Sequence, residues 1–118
     1  MKEDLNSLLP LSPATLHILL ALAPEDRHGY GIMQEVARQS EGRYKLGPGT
    51  LYDNLHKLQG QAMIDVIEYS SKQESDRRRY YRLTSFGRRV LGAEVERLDR
   101  MIREAKPYLR PVRSPGAL

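Results

Sequence analysis

Two short runs rich in β-branched and aromatic residues, Met63–Tyr69 (MIDVIEY) and Arg78–Leu83 (RRYYRL), stand late in a chain whose other apolar positions recur at helical spacing. This order limits the fold more than any other feature. The polar stretch Ser70–Arg77 joins the two runs into a hairpin, and a lone hairpin is marginal in water unless something packs on it. Three helical patterns precede the hairpin and a long one follows it. The expectation is a mostly α chain of the α+β type, with helices gathered on one side of a small antiparallel sheet. Its 118 residues suffice for one hydrophobic core and not for two. The absence of cysteine removes disulfide frameworks, thiolate metal sites and cysteine nucleophiles together. No apolar run approaches the ~18 residues of a membrane span. The opening MKEDLNSLLPLSP is a poor secretory signal, so a cytoplasmic protein with no membrane role is expected.

Local signals divide the chain further. Residues 1–11 read as a flexible arm. Ser12 and Pro13 suit an N-cap and first helical position, and ATLHILLAL after them is apolar nearly all round, as in a buried helix. A second helix is expected from Gly29 to Ser40, and a third from Pro48 to Gln61 with Leu51, Leu55 and Leu58 on one face. Thr84 caps a last helix from Ser85 to Pro107, and the stretch 110–118 reads as a loose tail.

Three helices, a hairpin and a closing helix make a winged helix-turn-helix domain, here residues 12–84, followed by a terminal helix over 85–109. In that architecture one helix braces and the next enters the major groove of DNA. The third helix fits the second role. Opposite its leucine face it carries Gly49, Thr50, Asp53, His56 and Lys57, with Tyr52 and Asn54 on the flanks. The charge distribution agrees: residues 72–89 hold seven basic and two acidic side chains, whereas residues 1–42 hold three and six. A polyanion is drawn to the hairpin. Thr50, Tyr52, Asp53, Asn54 and Lys57 are therefore the candidate groove-facing residues. Tyr44 and Lys45 just before the helix, and Lys72, Arg77 and Arg78 in the wing, are candidates for the DNA backbone. A merely solvated polar face and a solvated basic loop are the plainer alternatives. By strand alternation, Arg79 and Tyr81 point inward with Leu83.

The last helix carries a second signal. Leu91, Val95, Leu98, Ile102, Ala105 and Leu109 repeat at four- and three-residue intervals, with Glu94, Arg97, Asp99, Arg100, Arg103, Glu104 and Lys106 around them. Covering the core needs only the first turns, near Phe86 and Val90, so these six residues are expected to pair with a second copy. The alternative is packing back on the same domain. A homodimer would set two recognition helices ~34 Å apart on a palindrome-like duplex operator.

Three stretches, His28–Val36 (HGYGIMQEV), Gly47–Ile64 (GPGTLYDNLHKLQGQAMI) and Arg77–Arg89 (RRRYYRLTSFGRR), together resemble the PadR family of bacterial transcriptional regulators. With the opening LSPATLHILLAL the similarity spans residues 11–109. It implies a homodimeric, DNA-binding winged helix, usually a repressor, with Tyr52 on the family's recognition-helix tyrosine and Tyr80-Tyr81 on its wing-strand pair. Some members respond to small aromatic compounds near the dimer interface. The resemblance thereby admits such an effector, for which Met101 and Tyr108 beside the seam are the lining candidates, with simple packing as the alternative. One departure stands out. Where the family usually has glycine ending the recognition helix, this chain has Ala62, with Gly60 two residues earlier. A left-handed backbone at Ala62 would cost ~1 kcal/mol; otherwise the helix ends at Gly60.

Two other classes fare worse. His17, His28 and His56 fall on three different helices with no ligand spacing, and neither a nucleophile elbow nor a phosphate-binding lysine motif is present. No catalysis, metal or cofactor is expected. His17 reads as a satisfied core residue and His28 as a helix-start residue. A winged helix that docks proteins without binding DNA is the remaining alternative, and it predicts no salt-dependent affinity for duplex.

Overall fold

The computed structural model describes residues 4–69 and 78–109. Four α-helices and three strands follow in the order α1 (Pro13–Leu22), β1 (Arg27–His28), α2 (Gly29–Gln39), α3 (Pro48–Gly60), β2 (Ile64–Tyr69), β3 (Arg78–Leu83) and α4 (Ser85–Ala105). A 3-10 turn at Leu5–Leu8 precedes them and another at Lys106–Tyr108 follows. The fold class is as the sequence predicts, mostly helical with one small antiparallel sheet.

The caps act where the sequence places them. Ser12 accepts the Thr15 N–H at 3.2 Å and opens α1. His28 is the N-cap of α2: its Nδ1 accepts the Gly31 N–H at 3.0 Å. Thr84 does the same for α4 through the Gly87 N–H at 2.9 Å. Ile18, Leu19 and Leu22 of α1, Ile32 and Val36 of α2, and Leu51, Leu55 and Leu58 of α3 meet in one core that Ile64, Tyr81, Leu83, Val90 and Leu91 complete.

The sheet runs β1-β3-β2, with β3 antiparallel to both neighbours, Ile64 opposite Leu83 and Val66 opposite Tyr81. β1 is a finding the sequence did not announce. It pairs only Arg27 with Tyr81 and His28 with Tyr80, and two residues are too few to show alternation.

Both readings of how the third helix ends hold at once. α3 stops at Gly60, and Ala62 lies in the left-handed region at φ 61°. The Ala62 N–H donates to the Gln59 carbonyl and the Met63 N–H to that of Leu58, each at 3.0 Å, which is the Schellman pattern with alanine where glycine is usual. The start of α4 is tied to this turn. The Thr84 hydroxyl donates to the Ala62 carbonyl at 2.7 Å and the Thr84 N–H to that of Met63 at 3.0 Å. Gly87 packs so tightly on the Met63 carbonyl that an added Cβ would collide with it.

Four expectations need correcting. The segment before α1 is not a loose arm over its described part: Leu5, Leu8, Leu9 and Leu11 pack against the core, because burying four leucines outweighs the entropy of a free arm. Leu91 belongs to the chain's own core and not to an outer seam, since the core extends one turn further along α4 than Val90. Glu94, expected among the charges around the α4 seam, is instead 1% exposed. It accepts the Leu11 N–H at 2.9 Å and the Arg97 Nε at 2.6 Å, so its charge is buried with partners. His17 is half-buried and stacks on Tyr44 with centroids 4.4 Å apart, and its Nδ1 has no hydrogen-bond partner among the described residues. The expected loose tail at 110–118 lies outside the described residues.

Candidate nucleic-acid interface

The interface is built on α3. Gly47-Pro48-Gly49 turns the chain sharply, Pro48 occupies the first helical position, and the leucines at 51, 55 and 58 fix which way the helix faces. Thr50, Tyr52, Asp53, His56 and Lys57 are left exposed. Asn54 is half-buried, and its Nδ2 donates to the Thr50 carbonyl at 2.8 Å, which turns its amide back along the helix. Tyr52 and Lys57 lie on opposite flanks of this polar face. Tyr52 leans on the start of α2, where a Cβ at Gly29 would run into its hydroxyl. Lys57 lines a hollow of about 250 Å³ with Leu8, Leu11, Ser12 and Thr15.

Before α3, Lys45 is exposed, but Tyr44 is half-buried with its ring spent on His17, so its side chain serves packing. In the wing, Lys72 and Arg77 lie outside the described residues. Arg78 begins β3 opposite Tyr69, and its side chain is outside them too. Tyr81 and Leu83 are buried on one face, as alternation predicts. Arg79 departs from that pattern: its side chain is largely exposed at the end of the sheet, 3.8 Å from Glu68 Oε1. Part of the wing's positive charge is committed, because Arg82 donates through Nε and Nη2 to one carboxylate oxygen of Asp26, Oδ2, at 3.0 and 2.9 Å.

Alternation along β3 and the lean of Tyr52 together create a feature the sequence reading missed. His28, Gly29, Tyr30, Tyr52, Arg79 and Tyr81 line an open cleft of about 490 Å³ between the start of α2, the flank of α3 and β3. Burial pushes the Tyr81 phenol above its usual range, the neighbouring Tyr52 adds to this, and Arg79 opposes it. Only the tyrosine pair and the paired glycines of HGYG hinted at this in the sequence, and neither reveals that they meet.

Along α4, Val95, Ile102 and Leu109 are exposed, and Leu98 and Ala105 are half-buried. Met101 and Tyr108 are exposed as well, with the Met101 sulfur 3.1 Å from the Arg97 guanidinium. Among the described residues no group of three His, Asp or Glu side chains could hold a metal ion, and no helix is long and apolar enough to cross a membrane.

Comparison with known proteins adds to this geometry. The model of the transcriptional regulator PadR-like family matches residues 18–93. The transcriptional regulator Rv3488 of Mycobacterium tuberculosis is 34% identical over 75% of this chain and 78% of its own length. Among solved structures, a PadR family transcription regulator from Clostridium difficile superposes with a TM-score of 0.67 at 24% identity, over 83% of this chain and 99% of that one. Bacillus subtilis PadR, solved in complex with operator DNA, gives a TM-score of 0.62 at 20% identity over 73% of this chain and 48% of that one.

Proposed function

Because this chain belongs to the PadR-like family of transcriptional regulators, we propose that it binds a palindrome-like duplex operator as a homodimer in the cytoplasm and represses the genes beside it. The observation that carries this reading is α3. Its leucine face is buried, and its short polar face, Thr50 to Lys57, is open beside a basic wing. Asp53, Thr50 and Asn54 stand near the helix's N-terminal end, where base edges are met. Lys45, Lys57 and the wing residues Lys72, Arg77 and Arg78 supply backbone charge. The row of exposed Val95, Ile102 and Leu109 with half-buried Leu98 and Ala105 supports a dimer through α4, now without Leu91. A small aromatic effector that releases the operator belongs to the same reading through the family resemblance alone, with Met101 and Tyr108 as its candidate contacts.

The test is a fluorescence-anisotropy titration over a salt series, with the duplex upstream of the protein's own gene beside a scrambled duplex. The expected result is tight binding to the first, weaker binding to the second and a steep salt slope. Lys57→Ala should weaken both and lower the slope by about one unit. No binding to either duplex at low salt would sink the DNA reading and leave a protein-docking winged helix. Leu98→Glu should convert the dimer to monomer in sedimentation velocity; a variant that still sediments as a dimer removes the seam from the interface.

A further inference from the structure

Met101 differs from the other described methionines in exposure and in company. It is 55% exposed, whereas Met63 is 2% exposed and Met33 is half-buried against the core. An oxidant in solution therefore meets the Met101 sulfur first. That sulfur also rests on a fixed cation. Arg97 donates through Nε and Nη2 to the two carboxylate oxygens of Glu94, at 2.6 and 3.1 Å. Glu94 is itself buried and accepts the Leu11 N–H, so the guanidinium is anchored from below. Nη1 of the same group donates to the Met101 sulfur at 3.1 Å. A thioether is a weak acceptor, and a sulfoxide oxygen is a strong one. An oxidised Met101 thus finds a charged donor already in place one helical turn away.

By the four- and three-residue repeat along α4, Met101 falls beside the apolar row and not in it. It stands one turn from both Leu98 and Ala105 and next to Ile102 in the chain. A side chain at such a position stays open to water on one side while it covers the edge of a helix pair. We propose that Met101 is a reversible oxidation site, at which a hydroperoxide converts the thioether to the sulfoxide and thereby loosens the pairing of two copies through α4. The inference rests on the homodimer proposed above. With hydrogen peroxide, the sulfur's electron pair attacks one oxygen and the O–O bond breaks as the S–O bond forms. The proton of the attacked oxygen passes to the departing hydroxide, so sulfur is oxidised to the sulfoxide and the peroxide is reduced to water. A flexible apolar chain becomes a polar one, and a partner's apolar row can cover it only by stripping its hydration.

The full chain is held near its dimer midpoint concentration and treated with dilute hydrogen peroxide. Peptide mass mapping follows the site, sedimentation velocity the assembly and far-UV circular dichroism the helix content. The expected result is a one-oxygen gain at Met101 ahead of Met33 and Met63, with a dimer weakened at least about tenfold and helix content unchanged. Methionine sulfoxide reductases should restore the dimer. Met101→Leu removes the sulfur, and its assembly should be the same before and after peroxide. Met101→Gln puts a polar amide in place of the thioether and should weaken the dimer with no oxidant present. Oxidation of Met33 or Met63 ahead of Met101 overturns the inference, as does an oxidised Met101 in an undiminished dimer, which leaves the homodimer reading intact. A Met101→Leu chain that responds to peroxide as the wild type does, or helix content that falls with the dimer, overturns it too. A chain that is monomeric before peroxide is added removes the homodimer reading, and the inference falls with it.

Discussion

Replacing Ala62 with glycine should stabilise this protein, although glycine is usually a destabilising choice. Ala62 sits at φ 61°, just past the end of α3. An L-residue in that region meets a clash between its Cβ and the following carbonyl that costs roughly 1–2 kcal/mol. The conformation persists because the neighbourhood over-determines it. The Ala62 N–H is bonded to Gln59, the Met63 N–H to Leu58, and the Ala62 carbonyl to the Thr84 hydroxyl. Met63 and Leu58 are both buried, so the turn cannot relax without opening the core. Glycine removes the clash and returns about 0.5–1 kcal/mol through the greater freedom of its unfolded chain. The net gain is about 0.5–1 kcal/mol, a rise in melting temperature of about 2–5 °C for a chain of this size. The assay is paired urea and thermal unfolding of Ala62→Gly and Gln61→Gly. Gln61 lies one residue earlier at φ −88°, where glycine brings only the entropic loss. The two variants should move in opposite directions. If both destabilise, the strain assigned to Ala62 is absent and the argument fails.

Two further outcomes follow from the same junction and from α2. Gly87→Ala should cost well over about 2 kcal/mol, or prevent folding, because the new methyl has only the Met63 carbonyl to displace; a urea midpoint near the wild type would show that α4 can shift aside. Glu35 is held at about 2, chiefly by Arg38, which donates to both carboxylate oxygens at 2.9 and 2.7 Å. A folded pKa below the ordinary 4.5 means a contribution that is complete above about pH 4.5 and disappears as pH falls toward 2. With Arg38 largely in solvent, that contribution is of order 1 kcal/mol. Glu35→Gln should therefore lower stability at pH 7 and flatten the acid limb between those values, and an unchanged limb would place the acid sensitivity elsewhere. Glu94 is lowered in the same direction by Arg97, so acid should also loosen the contact between Leu11 and α4.

What could be read in advance was local. Ser12-Pro13, Thr84 and the leucines of α3 each declare their role within a few residues, and the structure uses them that way. Ala62 was legible as a departure, although not that it would coexist with a helix end at Gly60. The unread part depends on partners far along the chain. Glu94 looks like a seam-side charge until Leu11, 83 residues away, supplies an N–H. β1 exists only because β3 lies beside it, and the cleft only because Tyr52, Tyr81 and the start of α2 converge. The leucines before Ser12 were a fair warning against a loose arm, since four of them in one short stretch rarely stay in water.

The bonds from Thr84 to Ala62 and Met63 have a mechanical reach beyond the few residues they join. They weld the foot of α4 to the end of α3, so α4 behaves as a lever arm fixed at that end. Its 21 residues make it about 31 Å long. A swing of about 10° at its far end, where Ile102 and Leu109 lie, would carry the near end by roughly 5 Å, close to half the ~12 Å width of the major groove. If two copies pair through α4 and each α3 enters a major groove, as proposed, a gearing of that kind would let the length of α4, rather than the wing, set the distance between the two grooves.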